Sequence, residues 1–196
     1  MTPLWLRRSF LCASAAALLA GCSSVRVVDS QVQSWSTLTA VPAPPTYRLD
    51  RLPSQQSSEK AFAPIEALAH QALQRAGLRR DDANARLVAQ VGVRASAALP
   101  DWPHYPPMWG WGAGWGRSGL RAGMMLRDLP PTLHRREASL VLRDATTQQV
   151  VYETSALHED VWTDDPAIFG VLFDAALSGF PQPPTGIRQI HTPVPR

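Results

Sequence analysis

Cysteine and lysine are nearly missing from this chain of 196 residues: Cys12, Cys22 and Lys60 are all it has. Two cysteines exclude a disulfide scaffold. Long apolar runs are scarce too. One early stretch, Phe10 to Ala20, is shorter than the roughly 20 residues a spanning helix needs. A mean hydropathy of -0.14 and this single run exclude a multi-span helical membrane protein. Blocks of basic charge are also absent, the longest being the pairs Arg7-Arg8, Arg79-Arg80 and Arg135-Arg136. Nucleic-acid binding by phosphate neutralisation therefore has no compositional support. Charged residues make up only 18% of the chain, but 45% is hydrophobic, which is too apolar for disorder throughout. A chain of this length buries roughly 70% of its unfolded surface, enough to fold without a staple.

What is present begins with an address. Arg7 and Arg8 precede the apolar Phe10–Ala20 stretch, which ends in Leu19-Ala20-Gly21-Cys22. Positive flank, short apolar core and small residues before a scissile bond are the order of a secretory signal. The terminal tetrapeptide resembles the lipobox of bacterial lipoproteins. That resemblance implies diacylglyceryl transfer to the Cys22 thiol, cleavage before Cys22 and acylation of the new amine. Small side chains admit the peptidase, and only a thiol forms the thioether. Residues 1–21 are thus expected to be a cleaved signal peptide, with Cys22 as the lipid attachment site. Several acyl chains, at about 0.8 kcal/mol per buried CH2, exceed the two signals that stable anchoring needs. Ser23 stands where Gram-negative lipoproteins retained at the inner membrane carry Asp, so the outer membrane, periplasmic side, is the expected location. Arg7-Arg8-Ser9-Phe10-Leu11 also resembles the twin-arginine export pattern, with Leu6 and Cys12 departing from it. Secretory and twin-arginine routes both stay open. Cleavage removes Arg7 and Arg8, so 19 basic residues become 17 against 16 acidic ones, a net of +1. With Cys12 lost and Cys22 acylated, no intramolecular disulfide can form.

The remainder, 22–182, reads as one domain, followed by a Pro-rich tail over 183–196 with an edge-strand candidate at Ile187 to His191. Residues 25–33 are either a first strand or an extended tether. Trp35 to Thr46 is read as a loop, Thr46–Leu49 as a short strand with Tyr47 and Leu49 on one face, and Pro53–Ser58 as a polar turn. A helix through Pro64–Ala76 places Ile65, Leu68, Ala69, Ala72, Leu73 and Ala76 on one stripe, with Gly77 and Leu78 closing it. Residues 85–99 alternate strictly: Leu87, Ala89, Val91, Val93 and Ala95 share one face. Residues 100–119 hold four Trp among Pro and Gly and are read as a loop without regular structure, and 119–127 as a returning strand. Glu137–Arg143 and Val150–Ala156 form a hairpin across a turn at 144–149. Asp165 and Pro166 are read as N-cap and N1 of a last helix that Gly179 stops. The expected fold is α+β, a mostly antiparallel sheet of about four to six strands with two helices on one face.

The lipobox, the Thr46-Tyr47 strand, the helix ending at Gly77, the Gly/Trp-rich stretch, Leu140-Val141-Leu142-Arg143-Asp144 with Val150-Val151-Tyr152, and a final helix ending Gly179-Phe180-Pro181 appear in that order. Together they resemble the domain of unknown function 4136 family of bacterial envelope lipoproteins, over roughly residues 24–182. Tyr152 stands where that family often has Trp, and Arg121–Arg136 departs from its pattern. The resemblance implies a periplasmic lipoprotein and transfers no catalytic residues.

Among candidate sites, Trp109, Trp111 and Trp115 lie between glycines that let the backbone present aromatic faces to a glycan, a lipid interface or an envelope protein. The competing reading packs them over the open end of the sheet. The five histidines show no zinc spacing, and His158-Glu159-Asp160 is read as a solvated strand end. Asp81-Asp82 and Asp164-Asp165 are read as flanking helix ends. No nucleophile elbow, phosphate loop or cofactor motif occurs. The function expected is non-enzymatic binding, or a purely structural envelope role. The alternative is a periplasmic hydrolase acting on cell-wall or lipid material.

Overall fold

A computed structural model describes residues 26–98, 111–116, 119–124, 132–161 and 166–194; for 111–124 the description is of backbone and pairing. Strand β1 (Arg26–Ser36) is followed by β2 (Thr46–Leu49), helices α1 (Pro53–Ser57) and α2 (Glu59–Arg75), and strands β3 (Arg79–Arg80) and β4 (Leu87–Ala98). A ribbon of β5 (Trp111–Gly116) and β6 (Gly119–Met124) comes next, then β7 (Leu133–Asp144), β8 (Val150–Asp160), α3 (Ile168–Ala176) and β9 (Ile187–Val194).

Seven strands form one sheet in the order β3-β2-β4-β7-β8-β1-β9, and β5 pairs only with β6. The sheet exceeds the expected four to six strands, and the described helices number three rather than two. β3 escapes a periodicity reading because two residues carry no pattern. β1, the tether alternative, is an inner strand between β8 and β9. Four of the six pairings are antiparallel; β2 runs parallel to both β3 and β4, because α1 and α2 carry the chain back across the sheet.

Period two divides each long strand between a covered and an uncovered face. Val28 and Val32 of β1, Leu87, Ala89 and Val91 of β4, Ala138, Leu140 and Leu142 of β7, and Tyr152 and Ala156 of β8 enter one core cluster. Helix α2 adds Ile65, Ala69, Ala72 and Leu73, and α3 adds Ile168, Leu172, Phe173 and Ala176. The predicted stripe of α2 therefore faces the core, with Glu66 the one buried charge on that helix. Arg51 meets it in a two-pronged ion pair, Nε to Oε1 at 2.5 Å and Nη2 to Oε2 at 2.7 Å.

Helix ends follow local rules. Leu78 N–H donates to Leu73 O and Gly77 N–H to Gln74 O, both at 3.0 Å, with Gly77 at φ +90°. These are the two bonds of a Schellman close, which only glycine adopts without strain. The last carbonyl of α3, Ala176 O, accepts from Thr154 Oγ1 at 2.8 Å and Tyr152 Oη at 3.3 Å, so β8 satisfies an acceptor the helix leaves open. That helix starts at Ile168 with Ala167 as N-cap, so Pro166 lies in the preceding turn rather than at N1. The assignment of Asp165 lies outside the described residues.

The polar stretch read as a turn is helix α1, and it has a task at the sheet. β2 pairs with β4 only as far as Ala89. Beyond that point Asp50 N–H donates to Ala89 O and Gln55 Nε2 donates to Val91 O, covering an edge that would otherwise stand open. At the far end, β4 outruns the core, and Arg94 to Ala97 are exposed.

Candidate functional site

Of the residues expected to act, Cys22 and Trp109 lie outside the described residues. Trp111 and Trp115 fall in β5, so the stretch read as structureless contains a strand. The ribbon register pairs Trp111 with Met124, Ala113 with Ala122 and Trp115 with Leu120. Alternation puts these six apolar residues at positions of one face, and Gly112, Gly114, Gly116, Gly119, Arg121 and Gly123 at positions of the other. The periodicity was hidden because glycine scores as neither apolar nor turn-free. Ala98 of β4 and Leu133 of β7 are paired to each other, so the segment holding the ribbon leaves and re-enters at one end of the sheet.

A residue that sequence reading placed at the start of a loop, Trp35, is the ninth step after Arg26 on β1, and its side chain is 51% exposed on the uncovered face. The sequence signal fades after Val32, because the next positions on the covered face are Ser34 and Ser36 and no apolar repeat carries the strand to its observed end. Two shallow cavities meet at this indole. One, of about 700 Å³, lies over Gln33, Glu137, Ser139, Glu153 and Ser155. The other, of about 480 Å³, is walled by Ser36, Leu38 and the Gln182–Gly186 turn. That turn is pinned by Ser36 Oγ donating to Pro181 O and Gln182 Nε2 donating to Thr39 O, both at 2.6 Å. Ser139 and Ser155, registered side by side across β7 and β8, put small side chains in the floor of the first cavity.

Two histidines are held by bonds within the fold, His158 and His70. Nδ1 of His158 bonds Asp29 O at 2.8 Å, and Nε2 sits 3.7 Å from Asp160 Oδ2. With only 5% exposure, His158 is buried rather than solvated as expected, because alternation from Tyr152 turns it to the helix-covered face. Nδ1 of His70 bonds Tyr47 Oη at 2.5 Å. Burial pushes the Tyr47 phenol up to about 12, with the Arg80 charge opposing and Asp82 adding. His70 edges a cleft of about 610 Å³ with Arg79, Arg80, Asp81 and Asp82. Asp81 and Asp82 do not flank a helix; Asp81 Oδ1 accepts from the N–H groups of Ala83 and Asn84 and closes a tight turn. Among the described residues no group of three His, Cys, Asp or Glu is placed to hold a metal, and no helix is long and apolar enough to cross a membrane.

Fold and surface together define a mixed α/β domain whose described helices cover one sheet face and leave the other without a helix. The chain belongs to the family described as Domain of unknown function (DUF4136), whose model matches residues 28–182. No curated protein matches it. Among solved structures it is similar to a PDZ domain protein from Parabacteroides distasonis, at 12% identity and TM-score 0.49. That likeness covers 92% of this chain but 42% of the other. Two crystal forms of the PelC dodecamer from Paraburkholderia phytofirmans match at 15% and 14% identity and TM-score 0.42, over 76% of this chain and 95% of theirs.

Proposed function

We propose that this chain is an envelope lipoprotein, anchored through Cys22 to the outer membrane and facing the periplasm, that binds rather than catalyses. The observation that supports this best is the nearness of the lipobox to the fold. Cys22 precedes the first strand residue, Arg26, by four residues, at most about 14 Å of extended chain. A thioether there holds the amino end of β1 against the bilayer. Antiparallel pairing puts Asp160 of β8, and through it Leu133 of β7 and Ala98 of β4, toward that same end. The Trp-bearing segment thus joins the domain on the anchored side. There the apolar positions of the ribbon, with Trp109, suit an interface or an envelope ligand, since indole favours sites apolar at one end and wet at the other.

His70 bonds Tyr47, His158 a backbone carbonyl and His191 Asp29, so none of these three is paired with a serine, threonine or cysteine nucleophile. Intact-mass analysis with cell fractionation tests the reading. The native protein is expected to start at Cys22 with diacylglyceryl and acyl mass and to sediment with outer membrane. A Cys22→Ala variant is expected in the soluble fraction with unchanged melting. A native mass retaining residue 1, or a bare thiol at Cys22, overturns it. Turnover of peptidoglycan or phospholipid by the purified protein would favour the alternative.

A further inference from the structure

We propose that the bare sheet face around Trp35 is a binding platform for an uncharged saccharide chain. This deepens the envelope-binding reading by naming a ligand class and a second, separate site. Trp35 stands about 30 Å along β1 from the anchored end, so it faces away from the membrane. Its half-exposed indole is the ridge between the two cavities, and both volumes fall within the roughly 300–1,000 Å³ of ligand clefts. An exposed indole flanked by polar troughs matches a pyranose, which has a C–H face to stack and a rim of hydroxyls.

The polar groups fit that rim. Glu137 and Glu153 accept from hydroxyls, the Gln33 and Gln182 amides both donate and accept, and Ser139 and Ser155 do either. Among the described residues none that lines either cavity is basic, although the chain carries 18 Arg. Arg94 is registered across from Glu137 and Arg143 lies 4.0 Å from Asp50, but neither lines a cavity. With two carboxylates and no cation in the trough, phosphate, sulfate and uronate polymers are repelled. An extended peptide gains no strand addition on β7 or β8, which are paired on both sides. Only Val141, Val150 and the indole are apolar among the described residues lining that cavity, so an acyl chain finds most of its wall polar.

The pairing that builds the site is rigid. Trp35 is registered opposite Glu153, Gln33 opposite Ser155, and Thr154 Oγ1, bonded to Ser34 Oγ at 2.8 Å, ties the two strands beneath.

The test is calorimetric titration of the purified full-length chain with chitotetraose, cellotetraose and an oligogalacturonate of equal length. At least one neutral tetrasaccharide is expected to bind with Kd near or below about 1 mM, and the anionic one not at all. Loss of stacking, about 0.5–1.5 kcal/mol, weakens Trp35→Ala up to about tenfold, and Trp35→Phe recovers part of it. Glu153→Gln, a same-shape change, is expected to weaken binding by a smaller factor. All three variants should melt like the parent. Three outcomes overturn the proposal: no neutral saccharide bound at about 10 mM, saccharide bound equally by Trp35→Ala and Glu153→Gln, or the anionic oligomer preferred. If Trp35→Ala fails to fold, Trp35→Phe and Glu153→Gln decide by the same criterion. A lipidated Cys22 with no saccharide binding removes this site and leaves the envelope assignment standing.

Discussion

The two faces of the sheet are built from alternate residues of the same strands, yet they obey different physics. Along β8, Tyr152, Thr154, Ala156 and His158 are buried, whereas Glu153 is exposed and Ser155 and Leu157 are half-exposed. The buried set must fit α2 and α3 at crystal-like density and find partners for most of the polar atoms it takes inside. Tyr152 does both: it meets Phe180 edge-on at 5.0 Å and bonds the last carbonyl of α3. The outer set meets water, so its composition is free of packing constraints. A tryptophan half in water among glutamates and serines is consequently more informative than one in the core. Stability lives on one face, and recognition has room on the other.

Substitutions that exchange the roles of the faces sharpen that contrast. Phe173, 1% exposed between α3 and the sheet, shows the largest effect: Phe173→Ala is expected to lose about 3–5 kcal/mol in denaturant titration. Leu140→Ala on β7 follows with about 2–5 kcal/mol, while its neighbour Val141, on the other face, is expected to tolerate Thr with a change under about 1 kcal/mol. Equal costs at 140 and 141 would break the comparison.

Smaller effects come from the backbone and from titration. Gly77 and Gly179 sit at φ +90° and +86°, so alanine is strained at both by about 1–2 kcal/mol. Gly179→Ala is expected to be the worse, because its Cβ would meet Pro183 Cα at 3.3 Å while nothing lies within 4 Å at Gly77. Tyr47 gives a pH signature. Its phenol ionises near 10 when unfolded and at about 12 when folded, so the folded state holds the proton longer. Its contribution is full below pH 10 and is lost as pH rises through 12. Tyr47→Phe is expected to cost about 1 kcal/mol near neutrality and to flatten the fall in melting temperature over that window. Tyr152, also raised by burial, leaves a residual slope. Smallest of all, Trp35→Ala is expected to shift stability by less than about 0.5 kcal/mol. A loss as large as that of Leu140→Ala would place the indole in the core and remove the site.

How much of this was legible in residues depended on length and on contrast. The α2 stripe, the β4 alternation, the β7–β8 hairpin and the Gly77 close stand out because each repeats a local rule over several residues or ends on a backbone-specific one. β3 and α1 were missed because two residues, and a proline with four polar residues, carry no periodicity; their places come from partners distant in sequence, such as Gln55 with Val91 O. β5 was missed because its polar-side positions are glycines. Trp35 was assigned to a loop because an exposed strand face has no apolar repeat to follow.

Local chemistry was enough to write the helix stripes, the glycine closes and the family resemblance, since each depends on neighbours within a few positions. Tertiary structure alone decided that β1 lies inside the sheet, that His158 is buried, and that Trp35, Glu153 and Gln182 share one surface. These depend on which strands pair. Pairing is settled by the burial of a common face among segments more than a hundred residues apart, as Trp35 and Glu153 are.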